Sequence, residues 1–320
     1  GALSVQASTL SDVQAKGHVS CGVSKGLAGF SSADSSGTWT GVDVDVCRAV
    51  AAATLGDAQK VKFVPLTAKE RFTALQSGEI DMLSRNTTWT ITRDASLGLN
   101  FAGVNYYDGQ GFMVKSSLGV SSAMELSGAA ICIQAGTTTE LNLADWGKAN
   151  GIEYNSVVSD TNAQTLTNYD AGRCDVLTTD ASGLYSMRAA ANDPSEHVVL
   201  PEIISKEPLG PVVRQGDDQW FNIVRWSLNA MITAEELGVT SATVDDVSNN
   251  PERERLMGRS GSTHEYVGLT PDWTYQIVKQ VGNYSESFER NIGINTPIGI
   301  ARGVNALWTD GGILYSPPFR

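Results

Sequence analysis

A chain of 320 residues with 41% hydrophobic and 18% charged residues has an ordinary globular composition, and its length suggests about two domains, each with its own core. A formal net charge of −12 argues against nucleic acid as a partner, because phosphate binding needs clustered Lys and Arg. No stretch is long and apolar enough to cross a bilayer; the longest apolar run, Val46 to Ala53, contains Arg48. The opening Gly1-Ala2-Leu3-Ser4 has no basic region ahead of an apolar one, as expected of a processed chain.

In chain order, short β-like runs alternate with helical segments, which predicts an α/β fold. Val19 to Val23 is the first strand, followed by a loop rich in glycine (Gly26, Gly29, Gly37) and a helix within Val42 to Ala53. Lys60 to Pro65 is a strand. Thr67 to Ser77 is a helix opened by the capping box Thr67/Glu70 and closed by Gly78, and Ile80 to Ser84 is the next strand. A second block runs strand Ala129 to Gln134, helix Thr138 to Ala149, strand Glu153 to Val158, helix Asn162 to Ala171, strand Cys174 to Thr179 and helix Asp180 to Ala191. The tail, 241–320, has helical stretches at Asn250 to Met257, Pro271 to Val281 and Tyr284 to Arg290; its aromatic residues Trp273, Phe288, Trp308 and Phe319 are expected to pack against a lobe.

The two blocks resemble each other. Phe72 to Ser84 and Leu166 to Thr178 both read helix, Gly, any residue, apolar or Cys, Asp, two apolar residues, hydroxyl. A duplication of this kind gives two similar lobes, joined here by Tyr106 to Val114 and rejoined near Ile203 to Pro211 as a two-strand hinge. The expected division is 1–108 with 206–320 in lobe 1, including the extension 241–320, and 109–205 in lobe 2. Cys21, Cys47, Cys132 and Cys174 include no Cys-x-x-Cys, and few histidines could join them, so a metal site is not expected. The even count fits two disulfides or four buried thiols. Of three pairings, Cys21–Cys47 with Cys132–Cys174 is preferred because each then stays within one lobe.

In open α/β sheets, ligands bind beyond the carboxyl ends of the strands. That rule points at Ser24-Lys25 and Arg85-Asn86-Thr87-Thr88 in the first block, and at Gly136-Thr137-Thr138 and Asp180 in the second.

Four motifs in order, Gly41-Val42-Asp43-Val44-Asp45-Val46, Ser84 to Arg93, Gln134-Ala135-Gly136-Thr137-Thr138 and Thr178-Thr179-Asp180, resemble the polar-amino-acid-binding proteins of ABC importers. Nearly the whole chain, tail included, is similar to the general L-amino-acid branch, which covers glutamate, glutamine, aspartate and asparagine binders. The resemblance implies the two-lobed periplasmic-binding-protein fold (type II), with mixed-sheet lobes and both chain ends in lobe 1. It further implies capture of a polar or acidic L-amino acid between the lobes, delivery to an ABC permease in the inner membrane, and location in the periplasm of a Gram-negative bacterium. No catalysis and no cofactor are expected.

A free amino acid carries a carboxylate and an ammonium, and removing both from water is costly unless each is paired. By resemblance, Arg93 takes the α-carboxylate, for which a planar guanidinium fork is suited. Thr88 supplies a hydroxyl and Asn86 a main-chain contact. Thr137 and Thr138 present the start of a helix, whose free N–H groups favour an anion. Asp180 accepts the α-ammonium. Arg85 and Lys25 are candidates for a side-chain carboxylate, and Gln134, Leu27 and Phe30 for the pocket wall, where Leu27 departs from the aromatic often found in relatives. Each hydroxyl and Asp180 would also serve as an ordinary helix cap. Asn86-Thr87-Thr88 reads as a glycosylation sequon as well, though a cleft position speaks against that use. The alternative reading is an enzyme resembling cyclohexadienyl or arogenate dehydratases, which needs a cleft acid beyond Asp180. His18, His197 and His264 are expected to be solvent-exposed.

Overall fold

The computed structural model describes residues 8–320. Among the described residues, fourteen strands form two five-stranded sheets and two short pairs. The first sheet has the order β4 (Val61–Leu66), β1 (Val19–Ser24), β5 (Met82–Leu83), β14 (Val212–Arg214), β6 (Leu99–Phe101). The second has β10 (Tyr154–Ser159), β9 (Ala129–Gln134), β11 (Val176–Asp180), β8 (Gln110–Lys115), β12 (His197–Val199).

The two orders are equivalent. In each sheet the block's first strand is flanked by its second and third in parallel, and the fourth and fifth pair antiparallel. The fourth strand is in both cases the one that arrives from the other lobe: β8 follows the first crossing, and β14 the second. The repeat visible in the sequence is therefore a repeat of topology. The crossings themselves, β7 (Tyr106–Asp108) and β13 (Glu207–Leu209), pair antiparallel with Tyr106 opposite Leu209 and Asp108 opposite Glu207. A hairpin of β2 (Ser32–Ala33) and β3 (Trp39–Thr40) shapes the loop after β1.

Strand β1 is buried along its whole length, as a central parallel strand covered on both faces must be. Helix α2 (Val42–Leu55) lies beneath it and is almost entirely buried. Its approach requires Gly41: φ is +140°, and a Cβ there would stand 2.0 Å from the Phe30 carbonyl oxygen. The disulfide Cys21–Cys47 ties β1 to α2, and Cys132–Cys174 ties β9 to the turn before β11.

Predicted helices and strands of the blocks recur with ends moved by a few residues. The largest change is α3, shortened to Arg71–Gln76. The reciprocal Thr67/Glu70 bonds are nevertheless made, with Glu70 N donating to Thr67 Oγ1 at 3.1 Å and Thr67 N to Glu70 Oε2 at 3.0 Å. The other block helices are α4 (Thr138–Asn150), α5 (Asn162–Asp170) and α6 (Ala181–Ala190). Three α-helices went unread in the sequence: α1 (Thr9–Lys16), the short α9 (Thr263–Val267) in the tail and the 19-residue α7 (Asp218–Glu236). The last buries Trp220, Ile223, Val224, Ser227, Leu228 and Met231, spaced three or four apart as one apolar face.

In the tail, α8 (Pro251–Leu256), α9 (Thr263–Val267), α10 (Trp273–Gln280) and α11 (Tyr284–Asn291) pack on lobe 1. Trp273, Phe288 and Phe319 enter its core, whereas Trp308 is half exposed. Asp45 on α2 anchors α11, accepting from Ser287 Oγ (2.6 Å), Arg290 Nη2 (2.8 Å) and Asn291 Nδ2 (2.9 Å). The tail also reaches the hinge. Asn305 accepts from Tyr107 N at 2.7 Å and donates to Tyr107 O at 3.0 Å, pairing the free edge of β7 as a strand would.

One exposure was misjudged. His197 is buried, its ring bonded to Tyr169 Oη and to Asn192 O, both at 2.8 Å. It opens strand β12 rather than lying in a loop, and pairing places its side chain against Tyr169. His18 and His264 are partly exposed. No helix among the described residues is long and apolar enough to cross a membrane.

Candidate functional site

The expected ligand residues lie at the carboxyl ends of β1 and β5, at the start of α4 and at the end of β11, so both lobes face one cleft. The cleft is closed. Ser186 Oγ of α6 donates to Ala28 O at 2.7 Å, Asn162 Nδ2 to Ser24 Oγ at 3.4 Å, and Arg71 Nη2 to Gly136 O at 3.4 Å. Gly136 comes so near Lys69 that an added Cβ would lie 2.9 Å from the Lys69 Cα.

The lobe-1 wall is cationic. After β5 the chain turns through Asn86, at φ +30°, whose N–H donates to Asp43 Oδ2 at 2.7 Å. Asn105 Nδ2 holds Asp43 Oδ1 at 2.9 Å, and burial pushes this carboxyl up to about 6 against those bonds. Fixing Asn86 aims the following residues. Trp89 N donates to Pro208 O at 2.8 Å and Gly210 N to Thr87 O at 3.1 Å, so Thr88 is zipped to the hinge strand β13.

Arg93 rises from the π-helical turn Thr92–Ser96. It is only 8% exposed; Nη1 donates to Thr88 O at 3.0 Å, and its guanidinium carbon lies over the Phe72 ring. Arg85 donates Nε to Leu66 O at 2.9 Å. Burial draws both guanidinium groups down to about 10. Arg71, unread in the sequence, opens α3 and is buried beside them; Nη1 reaches Thr87 Oγ1 at 3.4 Å, and Nε is buried without a partner. Burial, then the fields of Arg93 and Arg85, hold it well below the ordinary arginine range.

The facing charges are acidic. Asp180 is N-cap of α6 by position, yet its side chain makes no capping bond. Asp108, on β7, takes the role instead, accepting from Ser182 Oγ and from Ser182 N at 3.3 Å. Burial, followed by the nearby Asp108 and Glu207, holds the Asp180 carboxyl well above its usual range. Burial also raises Asp108, to about 6. Glu207 on β13 is fully enclosed, with Thr88 Oγ1 donating to Oε1 at 3.0 Å and Thr138 Oγ1 donating to the same atom. Its Oε2 accepts from Ser205 Oγ at 2.8 Å and Asn142 Nδ2 at 3.4 Å.

Thr137 is the N-cap of α4, taking Glu140 N at 3.4 Å and donating to Gln134 O at 2.8 Å, while Glu140 reaches Gly136 N at 2.8 Å. Gln134 donates to Asp160 O at 3.1 Å. Phe30 is fully buried against Tyr106, and Leu27 lies in the same core. Lys25 is exposed at the cleft mouth, in a cavity shared with Lys69, Glu70 and Asp160.

Arg71, Asp108 and Glu207 are thus site residues the sequence reading missed. Asp108 and Glu207 fall inside the predicted hinge segments, but only the structure shows them withdrawn from water at the cleft. Arg71 follows the capping box directly. Among the described residues, Arg71, Arg85 and Arg93 make no ion pair with a carboxylate. Buried cations on lobe 1 and buried acids at the hinge and on lobe 2 therefore border the cleft without pairing, an arrangement that favours a ligand carrying both signs.

Known proteins share this architecture. General L-amino acid-binding periplasmic protein AapJ of Rhizobium johnstonii is 61% identical over 324 residues, spanning 100% of this chain and 95% of that one. The glutamate/glutamine/aspartate/asparagine-binding protein BztA of Rhodobacter capsulatus is 56% identical over 98% of this chain and 94% of its own. A periplasmic binding protein of an ABC transporter from Brucella ovis, solved with glutathione bound, superposes with a TM-score of 0.96 at 58% identity, covering 98% of this chain and 100% of that one. The family profile matches residues 19–243, and the chain belongs to the bacterial extracellular solute-binding proteins, family 3.

Proposed function

We propose that the cleft captures a zwitterionic L-amino acid with a polar or acidic side chain and presents it, in the closed state, to an ABC importer. The observation that carries this reading is the set of unneutralised buried charges, with Arg71 and Arg93 on lobe 1 and Asp180 on lobe 2. Arg93 and Arg71 receive the α-carboxylate, with the start of α4 beyond Thr137 adding N–H donors. Asp180 receives the ammonium. Arg85, with Lys25 at the mouth, attracts a second carboxylate, which favours glutamate or aspartate while leaving the amides acceptable. The relatives named for general amino acids and for glutamate, glutamine, aspartate and asparagine support this range.

Lobe 1 is taken as 1–108 with 206–320, and lobe 2 as 109–205, so that Asp108 and Glu207 stand at the hinge. The periplasm of a Gram-negative cell is the proposed location, on the family and on relatives such as AapJ. A dehydratase is disfavoured, since the curated relatives are named as binding proteins. An ancestral amino acid-binding protein described as a precursor of cyclohexadienyl dehydratase has a TM-score of only 0.60, at 28% identity.

A second ligand class has specific support. The Brucella ovis relative holds glutathione, whose γ-glutamyl end keeps a free α-carboxylate and α-ammonium. The same charges would hold that end. Calorimetry with glutamate, aspartate, glutamine, asparagine, glutathione and succinate tests the reading. The zwitterions should bind at least about tenfold more tightly than succinate; equal affinity for glutamate and succinate rejects it.

A further inference from the structure

Glu207 lies on the hinge strand β13, makes bonds to both lobes and receives two hydroxyl protons at one oxygen. Thr88 belongs to the lobe-1 loop, and Thr138 to the first turn of α4 in lobe 2. A threonine hydroxyl has one proton and two lone pairs. Once that proton is given to Glu207, the oxygen can only accept. Ser205 Oγ and Asn142 Nδ2 occupy the other carboxylate oxygen, so Glu207 has no reason to turn away.

Resting on the proposed amino-acid reading, we infer that Glu207 is a positioning residue that turns the Thr88 and Thr138 hydroxyls into a pair of acceptors for the ligand's α-ammonium, assembled only when the lobes close. Glu207, which holds both hydroxyls, acts on the Asp180 carboxyl, and both acids act on Arg71 and Arg93, so Glu207 and the free carboxylate belong to one charge cluster. This changes the chemistry assigned to both threonines. A free hydroxyl could have donated to the α-carboxylate; one committed to Glu207 rejects a carboxylate and welcomes an N–H⁺. Because one bond comes from each lobe, closure and recognition of the ammonium become a single event.

The test compares L-glutamate with glutarate, which lacks the α-ammonium, by calorimetry and by displacement of bound glutamate. In E207M the hydroxyls are released. Glutamate affinity should fall about tenfold or more, glutarate affinity should change little, and the ratio between them should shrink accordingly. E207Q, which can keep an acceptor oxygen in place, should retain more of the ratio than E207M. T138V, on a partly exposed position, removes one acceptor while leaving Glu207 its bonds from Thr88, Ser205 and Asn142, and should shrink the ratio in the same direction; it decides the matter should E207M fail to fold. Equal losses for both ligands in E207M, or an unchanged ratio in T138V, overturn the inference. Absence of glutamate binding to the unaltered protein would instead reject the proposed function.

Discussion

Replacing Arg93 by lysine separates charge from geometry at the centre of the cleft. Lysine keeps the positive charge, and hence the long-range attraction to Glu207 and Asp180 that favours the charged form of Arg93. It loses the planar fork and the fixed position given by the bond to Thr88 O at 3.0 Å and the stacking on Phe72, 4.9 Å from its ring centroid. The ligand then loses one charge-assisted hydrogen bond of a bidentate pair, about 1.5–3 kcal/mol, or about tenfold to about 150-fold in affinity. Folding should be less affected, since the protein surrenders one hydrogen bond to a carbonyl, about 1 kcal/mol, and part of a cation–π contact that a lysine ammonium can also make. Calorimetry with glutamate gives the affinity, and thermal unfolding without ligand gives the control. An R93K protein that binds glutamate within about threefold of the parent would show that Arg93 does not hold the carboxylate by its fork.

Gly136→Ala should hold the lobes apart. Its φ of +76° costs a side chain about 1–2 kcal/mol, and the new Cβ would lie 2.9 Å from the Lys69 Cα in the closed state only. Small-angle scattering should show a more open protein with ligand present, and unaltered compaction counts against a closure-dependent site. The raised Asp180 carboxyl makes the folded protein bind protons more readily than the unfolded chain. The ligand-free protein should therefore lose stability as pH rises from the ordinary carboxylate range through the raised value. A ligand ammonium favours the ionised form, so affinity should fall as pH falls through that value and binding should release protons. Calorimetry in buffers of different ionisation enthalpy measures this release, and its persistence in D180N would exclude Asp180 as its source. Removing the Cys132–Cys174 bridge, which closes a separation of 42 residues, should cost lobe 2 about 3–4 kcal/mol. Denaturant unfolding of C132A/C174A measures it, and a change under about 1 kcal/mol would contradict a stabilising bridge.

The structure extends the sequence reading most at the hinge. Both crossings were placed by their position between the blocks, but nothing in Tyr106 to Val114 or Ile203 to Pro211 told which residues would face the cleft. β7 and β13 bring Asp108 and Glu207 opposite each other, and only that pairing makes them part of the site. Arg71 is similar: the capping box fixed where its helix turn begins, while its approach to Gly136 depends on the other lobe. Helix α7 was legible in principle, because its apolar spacing is regular, yet its many aromatic and polar residues hid the pattern.

The sequence by itself determined the alternation of strands and helices and the repeated block, and it favoured one pairing of the cysteines, which the structure then shows as two disulfides. Local periodicity and chain proximity are short-range properties, and the strand-helix-strand units follow from them, whereas the strand that each sheet takes from the far crossing does not. Arg93, Asp180, Thr88 and Thr138 could likewise be picked out from the motif order. Only the tertiary structure decided which groups spend their hydrogen-bonding capacity on each other. Thr88 and Thr138 stand 50 positions apart in the chain, and Glu207 lies 69 positions beyond Thr138. A hydroxyl's direction is set by the partner it meets across such distances, and no spacing rule within one segment contains that information.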